Sequence, residues 1–307
     1  MKTYLLLSHI RVHNANAASS LYTIGFPAMT SWLGAMHALE RKLRAHAFSH
    51  IELKGLGISC HSMNLQTYKD AGMSHAAIIG TANPFNALKY DKEKGEYERS
   101  PFIQEPRVHL EVSLLIELSG LDVNEEKGFE ETVRNLLPQM KMAGGDIQNS
   151  NKDLRVKCLP VDDHDPEDVR KVMRSLVPGC VLLERRSRLL RYMEEKQEKD
   201  ALTALLDHLI VDVKDEANEA AKEISWQRTK KIAGGWTVPI AVGFRALSGA
   251  TTGACCRDAS TEHHFVEPLV TLGEFVLPIR VESVEDMMWT YHHEEDKGYY
   301  LCRNEKE

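Results

Sequence analysis

Three observations predict an α/β fold for this sequence. Apolar runs of strand type and apolar stripes of helical spacing follow one another in the order strand, helix, strand, strand, helix. In the run Val108 to Leu118, Val108, Leu110, Val112, Leu114, Ile116 and Leu118 occupy one face and His109, Glu111, Ser113 and Glu117 most of the other, so one face is core and the other is not. A hydrophobic content of 43% over 307 residues suffices for a substantial core. That element order opens a βαββαβ, ferredoxin-like unit with an enlarged connection between its second and third strands.

The first strand spans Tyr4 to Val12, where Leu5, Leu6 and Leu7 pass into the alternation Ile10, Val12 with Arg11 between them. An almost uncharged loop, HNANAASSLYTIGFP from His13 to Pro27, comes next. Trp32, Leu33, Met36, Leu39 and Leu43 then mark a helix, with Pro27 in or just before its first turn. Arg41, Lys42 and Arg44 crowd its last turn, where cations favour the negative end of the helix dipole. Ile51 to Cys60 reads as a strand whose phase slips at Gly55-Leu56-Gly57, as a bulge or bend requires.

Residues 62–106 mix Gly, Asn and Pro with the charged run KYDKEKGEYER and read as an excursion with structure of its own. After the Val108 strand, Phe129, Val133, Leu136, Leu137 and Met140 mark a helix interrupted by Pro138 and stopped by Gly144-Gly145. Asp165-Pro166-Glu167 caps a third helix carrying Val169, Val172, Met173 and Leu176, which Pro178-Gly179 ends. CVLLE (180–184) is a buried strand, and Ser187–Val213 hold a helical pair with Leu202, Leu205, Leu206 and Leu209 as its stripe. KDEANEAAKE (214–223) reads as a solvated helix end or a mobile loop. The last eighty residues, rich in glycine and aromatics, carry no local pattern that assigns them.

The net charge of −7 argues against indiscriminate nucleic-acid binding. Residues 1–60 nonetheless hold six Lys/Arg against two Glu, which directs any anion-binding face to the N-terminal part. No window reaches the roughly 20 apolar residues of a membrane span, and the opening MKTYLLLSHI is too short a run for a signal peptide, so a soluble, cytoplasmic protein is expected. Six cysteines without a C-x-x-C pair suit a reducing compartment and exclude ordinary structural zinc. His109-Leu110-Glu111 matches the H-x-E of zinc deaminases but lacks a downstream P-C-x-x-C, and a pair on one sheet face explains it. The pairs His263-His264 and His292-His293 invite a metal-dependent hydrolase, yet adjacent histidines point apart. Phosphate loops, dinucleotide fingerprints and nucleophile elbows are absent, and no metal or cofactor is expected.

The run IRVHNANAASSLYTIGFPAMTSWLGAMHALERKL closely resembles the N-terminal signature of the Csy-two family, the Cas-five-type subunits of the type I-F CRISPR surveillance (Csy, or Cascade) complex. RVHLEVSLLIEL (107–118), AGGDI (143–147), VPGCVLLER (177–185), GGWTVPIAVGFRALS (234–248), HFVEPLVTLGEF (264–275) and MMWTYHHEEDKGYY (287–300) look like the same family, in order along the chain. The segment 248–263 carries little that matches. The resemblance implies an RRM-like, ferredoxin-type head (1–61 and 107–307) with C-terminal additions and a thumb-like insertion (62–106). It also implies a non-catalytic subunit that holds the 5′ handle of the CRISPR RNA, pairs with the large Cas-eight-type (Csy-one) subunit, abuts the Cas-seven-type backbone subunit and meets target DNA through the assembled complex. The alternative is an RNA-processing endoribonuclease, because some Cas-five relatives of another subtype cut precursor RNA themselves.

On that resemblance, the RNA-binding candidates are Arg11, Asn14, Asn16, Ser19, Phe26, Arg107, His109, Trp236 and Arg245. Amides suit base edges, hydroxyls suit sugars and phosphates, and aromatics stack on unpaired bases. Arg11, Arg107 and His109 fall on two strands that are central neighbours in a ferredoxin-like sheet. The competing readings are turn and cap chemistry for the amides and hydroxyls, an Arg11–Glu111 pair on the sheet surface, and core packing for the aromatics.

Overall fold

The computed structural model describes residues 1–71, 73, 75–81, 89–91, 93, 95–98, 105–197, 199–218, 223–232, 234–252, 258 and 260–304. Its first unit contains β1 (Lys2–Asn16), α1 (Met29–Arg44), β2 (Glu52–Leu65), β3 (Glu105–Ser119) and α2 (Glu126–Leu136). It continues through the short β4 (Lys141–Met142) and β5 (Gly145–Ile147) to β6 (Arg155–Val161). The chain order is therefore βαββαβ apart from the short β4–β5 pair, and the strands lie side by side as β2-β3-β1-β6, all antiparallel.

The three long strands outrun the apolar patterns that predict them, because bulges break the alternation. β1 shifts register against β3 between Leu7 and Ile10 and again between Val12 and Ala15. His9 and Asn14 take left-handed conformations there, at φ 54° and 56°, and His and Asn are among the few side chains that tolerate this region. The helix-facing phase of β1 consequently runs Leu5, Leu7, then Ile10, Val12, then Ala15, all in one core. β2 slips at Leu53/Gly55, at the glycines where a bend is expected.

α1 and α2 cover one face of this sheet, burying Trp32, Leu33, Leu39, Leu43, Phe129 and Val133. The other face is covered only in part. There α3 (Pro166–Ser175) packs Val169, Val172 and Met173 on Tyr4, Leu6 and Leu115 at one end of the central strands, together with Val284 and Met287 from a 3-10 turn. Asp165 accepts the Glu167 N–H at 2.9 Å, as its place before Pro166 predicts.

β7 (Cys180–Glu184) joins β2 and extends the sheet through β10 (Trp236–Ala246) and β11 (Val266–Val276) to β12 (Thr290–Glu294) and β13 (Tyr299–Arg303), in the order β12-β13-β10-β11-β7-β2. Between β7 and β10 lie α4 (Arg186–Glu195), α5 (Ala201–Leu209), β8 (Val211–Asn218) and β9 (Glu223–Lys230). β8 and β9 pair antiparallel, so Lys214–Asn218 and Glu223 are strand where a solvated helix end or a mobile loop is expected; 219–222 lie outside the described residues. Val211 and Val213 set a strand phase before the acidic run begins, and the ladder carries it through. The outer strands curl until the residue before β12, Trp289, forms an antiparallel bridge with Leu56 of β2.

Between β2 and β3 the described pieces are small: Thr67–Tyr68 pairs with Ala77–Ile78, Lys89–Asp91 with Glu96–Glu98, and Gly80–Thr81 adds to the start of β3. Cys255 and Cys256 lie outside the described residues. Cys60, Cys158 and Cys302 are buried thiols, each pushed up to about 12 chiefly by that burial. No described helix is long and apolar enough to cross a membrane.

Candidate nucleic-acid interface

Beyond the reach of α3, the second face of β1, β3 and β2 lies open, and the polar phase of each strand is displayed on it. Arg11 stands opposite Glu111, and Glu111 opposite Ser62; His109 stands opposite Asn64, and Arg107 opposite Asn16. Arg11, His13, Asn14, Asn16, Ser62 and Asn64 are exposed, while Arg107, His109 and Glu111 are partly so.

The bulges are held by polar side chains. Between the segments of β1 that pair with β6 and with β5, the backbone at His9–Arg11 lacks a strand neighbour on that edge. Buried Asn149 stands in for one, accepting the Arg11 N–H at 2.7 Å and donating to His9 O at 3.1 Å. At the second bulge the Asn14 N–H donates to His109 Nδ1 at 3.1 Å, and Arg107 Nη1 donates to Asn14 O at 3.3 Å while its other nitrogen pairs with Glu105. Arg107 thus braces the Asn14 backbone. Glu111 turns to His9 Nδ1, at 2.7 Å, rather than to Arg11, so the sheet-surface Arg11–Glu111 pair is not formed.

Two imidazole stacks flank this patch: His13 on His109 and His9 on His61, each with centroids 4.2 Å apart. Burial, then the neighbouring imidazole, lowers the pKa of both His109 and His61, with Glu111 opposing the shift at His61. The stacks offer flat rings to the open side, and Arg11 is an exposed cation without a carboxylate partner among the described residues.

The Asn/Ser loop folds back on itself. Asn16 Oδ1 accepts the Ala18 N–H at 3.0 Å, and Thr23 Oγ1 lies 2.8 Å from Ser19 Oγ and 2.7 Å from Ser20 Oγ. The turn chemistry expected of Asn16 and Ser19 is present, and it presents Leu21 and Tyr22, 83% and 80% exposed, at the tip. α1 begins at Met29 without a side-chain cap.

Of the sequence candidates, Arg11, Asn14, Asn16, Arg107 and His109 converge on the open face, with Ser19 on the adjoining turn. Three do not join them. Phe26 is core, 3% exposed and stacked 5.6 Å from Trp32, which corrects its assignment as an RNA-stacking residue: the helix-side core needs the ring. Trp236 shares the strand phase of Val238 and Ile240 under α1 and leans on Phe275 at 4.6 Å, on the helix side of the sheet. Arg245 lies on β10, 5.6 Å over the Tyr299 ring. His9, His13, His61, Asn64 and Tyr22 join the patch unpredicted. The alternation His9, Arg11, His13 held the signal for two of them; nothing local marks the others.

Among the described residues, no three His, Cys, Asp or Glu side chains are grouped to hold a metal ion. The class defined here is a mixed α/β protein with a curled antiparallel sheet, half of one face of which displays cations, amides and imidazoles. Comparison with known proteins narrows it: the model of the CRISPR-associated protein (Cas_Csy2) family matches residues 5–302. A relative from Pseudomonas aeruginosa (strain UCBPP-PA14), described as CRISPR-associated protein Csy2, is 33% identical over 320 residues, covering 96% of this chain and 93% of the relative. The chain belongs to the Csy2 family of CRISPR-associated proteins.

Proposed function

We propose that the chain is a non-catalytic subunit of the type I-F CRISPR RNA-guided surveillance complex, acting in antiviral defence in the cytoplasm. It holds the 5′ handle of the CRISPR RNA and joins the large Cas-eight-type subunit to the Cas-seven-type backbone. Residues 1–61 and 107–307 form its RRM-like head with C-terminal additions, and 62–106 its thumb. The observation that carries this reading is the open half-face of β1 and β3, in a chain of the Csy2 family. Arg11 meets phosphate there, the Asn14 and Asn16 amides meet base edges or sugars, and the His13–His109 stack and Tyr22 offer flat surfaces to unpaired bases.

Co-expression with guide RNA and the other subunits tests it. The chain is expected to co-purify with RNA and a large subunit, and Arg11→Ala is expected to weaken handle binding and lower the log–log salt slope by about 0.7. Recovery of a complete complex whose RNA binding and salt slope ignore Arg11→Ala removes this face from the site. Cleavage of repeat RNA by the purified chain favours the endoribonuclease alternative.

A further inference from the structure

The joint between the first unit and the C-terminal strands carries a thiol on each side. β7 links β2 to β11 in the strand order, and it meets β2 through Cys180 opposite Cys60 and Val181 opposite Ser59. Residues directly opposed in an antiparallel ladder point to one face, with Cα atoms about 4.5–5.5 Å apart. That separation lies inside the roughly 4.4–6.8 Å that a disulfide spans. Both side chains do face the same core: Cys60 belongs to the helix-side cluster and Cys180 packs against it. On the other face the strands run equally close, since a Cβ at Gly179 would lie 2.2 Å from Ser59 Oγ and 2.9 Å from His61 Nδ1.

The two thiols are unequal. Cys60 is buried and its S–H donates to Ser62 O at 3.5 Å. Burial, then the neighbouring Cys180, pushes the Cys60 thiol up to about 12, with the Ser62 carbonyl contact opposing the shift. Cys180 is partly exposed. A reachable thiol beside an unreachable one is the arrangement of an attacking and a resolving cysteine. The other described cysteines have no such partner: Cys158 stands opposite Leu5 and Cys302 opposite Tyr291.

We propose that Cys60 and Cys180 form a redox-modification site, at which a peroxide closes a disulfide that locks β7 to β2. Cys180, in its thiolate form, attacks one peroxide oxygen. The O–O bond breaks, the other oxygen leaves as hydroxide and takes up the proton the thiol released, and Cys180 becomes a sulfenic acid. The Cys60 sulfur then attacks the Cys180 sulfur, the S–O bond breaks, and the hydroxyl leaves as water with the Cys60 proton. Two thiols are thereby oxidised to one disulfide while the peroxide is reduced to two waters. Thiol exchange with a small reductant reverses the bond. The site lies on the face of β2 turned away from His61 and does not rest on the RNA-binding reading.

Peptide mapping of the full chain tests the proposal, in a background where Cys255→Ser and Cys256→Ser remove the adjacent cysteines. The folded protein is treated with hydrogen peroxide, alkylated under denaturing conditions and digested without reductant. Mass spectrometry should find one linked peptide pair holding Cys60 and Cys180, which dithiothreitol separates. The bond closes a loop from residue 60 to residue 180, so the linked form should melt about 5 °C above the reduced one. Cys60→Ala should halt the reaction at a Cys180 sulfenic acid that dimedone labels, and Cys180→Ser should leave Cys60 fully alkylated. The Cys180→Ser arm decides the order of attack even where Cys60→Ala does not fold. Cys60 and Cys180 both still alkylated after peroxide, Cys180 advancing to sulfinic acid beside a reduced Cys60, oxidation of Cys60 in the Cys180→Ser variant, or a linked form that melts no higher overturns the proposal.

Discussion

Leu56 and Trp289 exchange both backbone hydrogen bonds, each 2.9 Å, across 232 residues of intervening sequence. The Trp289 indole N–H also donates to Leu182 O at 3.0 Å, and its ring is fully buried. One side chain thereby fastens the curled C-terminal strands to β2 and β7. Trp289→Ala is expected to lose about 3–5 kcal/mol, and Trp289→Phe about 1–3 kcal/mol through the orphaned Leu182 carbonyl. Chemical denaturation of both variants checks the ranking, and a Phe variant as unstable as the Ala variant refutes it.

Two glycines test close approach. At Gly243, φ is 154° and a Cβ would lie 2.0 Å from the Tyr300 carbonyl oxygen; at Gly57 it would lie 2.4 Å from the end of the flexible Met287 side chain. Backbone cannot yield as a methionine can. Gly243→Ala should therefore cost several times more stability than Gly57→Ala, on the order of 3 kcal/mol against 1. Thermal melts of the two variants measure the difference.

Asn14 holds a left-handed conformation, φ 56°, at the second bulge of β1. Asn14→Gly keeps that backbone without strain, whereas Asn14→Ala is expected to cost about 1 kcal/mol. If the amide contacts RNA, the Gly variant loses affinity at unchanged melting temperature. Undiminished binding of handle RNA by the Gly variant leaves Asn14 a purely structural role.

The lowered pKa values of His61 and His109 make stability depend on pH. In the unfolded chain both rings titrate near about 6.5, and so take up protons before the folded rings do. Their contribution is complete above that pH and declines as pH falls towards the folded values. Melting curves between pH 7.5 and about 5 should show a shallower loss for His61→Gln with His109→Gln than for wild type; an equal slope would place the pH dependence elsewhere.

Sequence legibility followed locality. The α1 stripe, the Asp165 cap and the Val108 alternation were readable because each answers to neighbours within one or two turns or along one strand. Even the β1 bulges left a trace, since the apolar phase shifts from Leu5 and Leu7 to Ile10 and Val12 and then to Ala15. β10 through β13 were not legible, because their pairing is set by partners far along the chain and by the Trp289 bridge. The β8–β9 pairing was missed for a related reason: an acidic, polar run takes its strand conformation from the opposing ladder, not from its composition.

The candidate site divides in the same way. Residue order alone placed Arg11 on the polar phase of β1 and Arg107 and His109 on that of β3, and it directed attention to the Asn14–Asn16 loop. Only the tertiary structure decided that α3 covers one end of that face and leaves the other open. It also decided that Glu111 bonds His9 instead of Arg11, that Phe26 belongs to the core, and that His61 and Asn64 of β2 join the patch. A side chain's phase along a strand is a local property, but what covers a face depends on elements more than a hundred residues away.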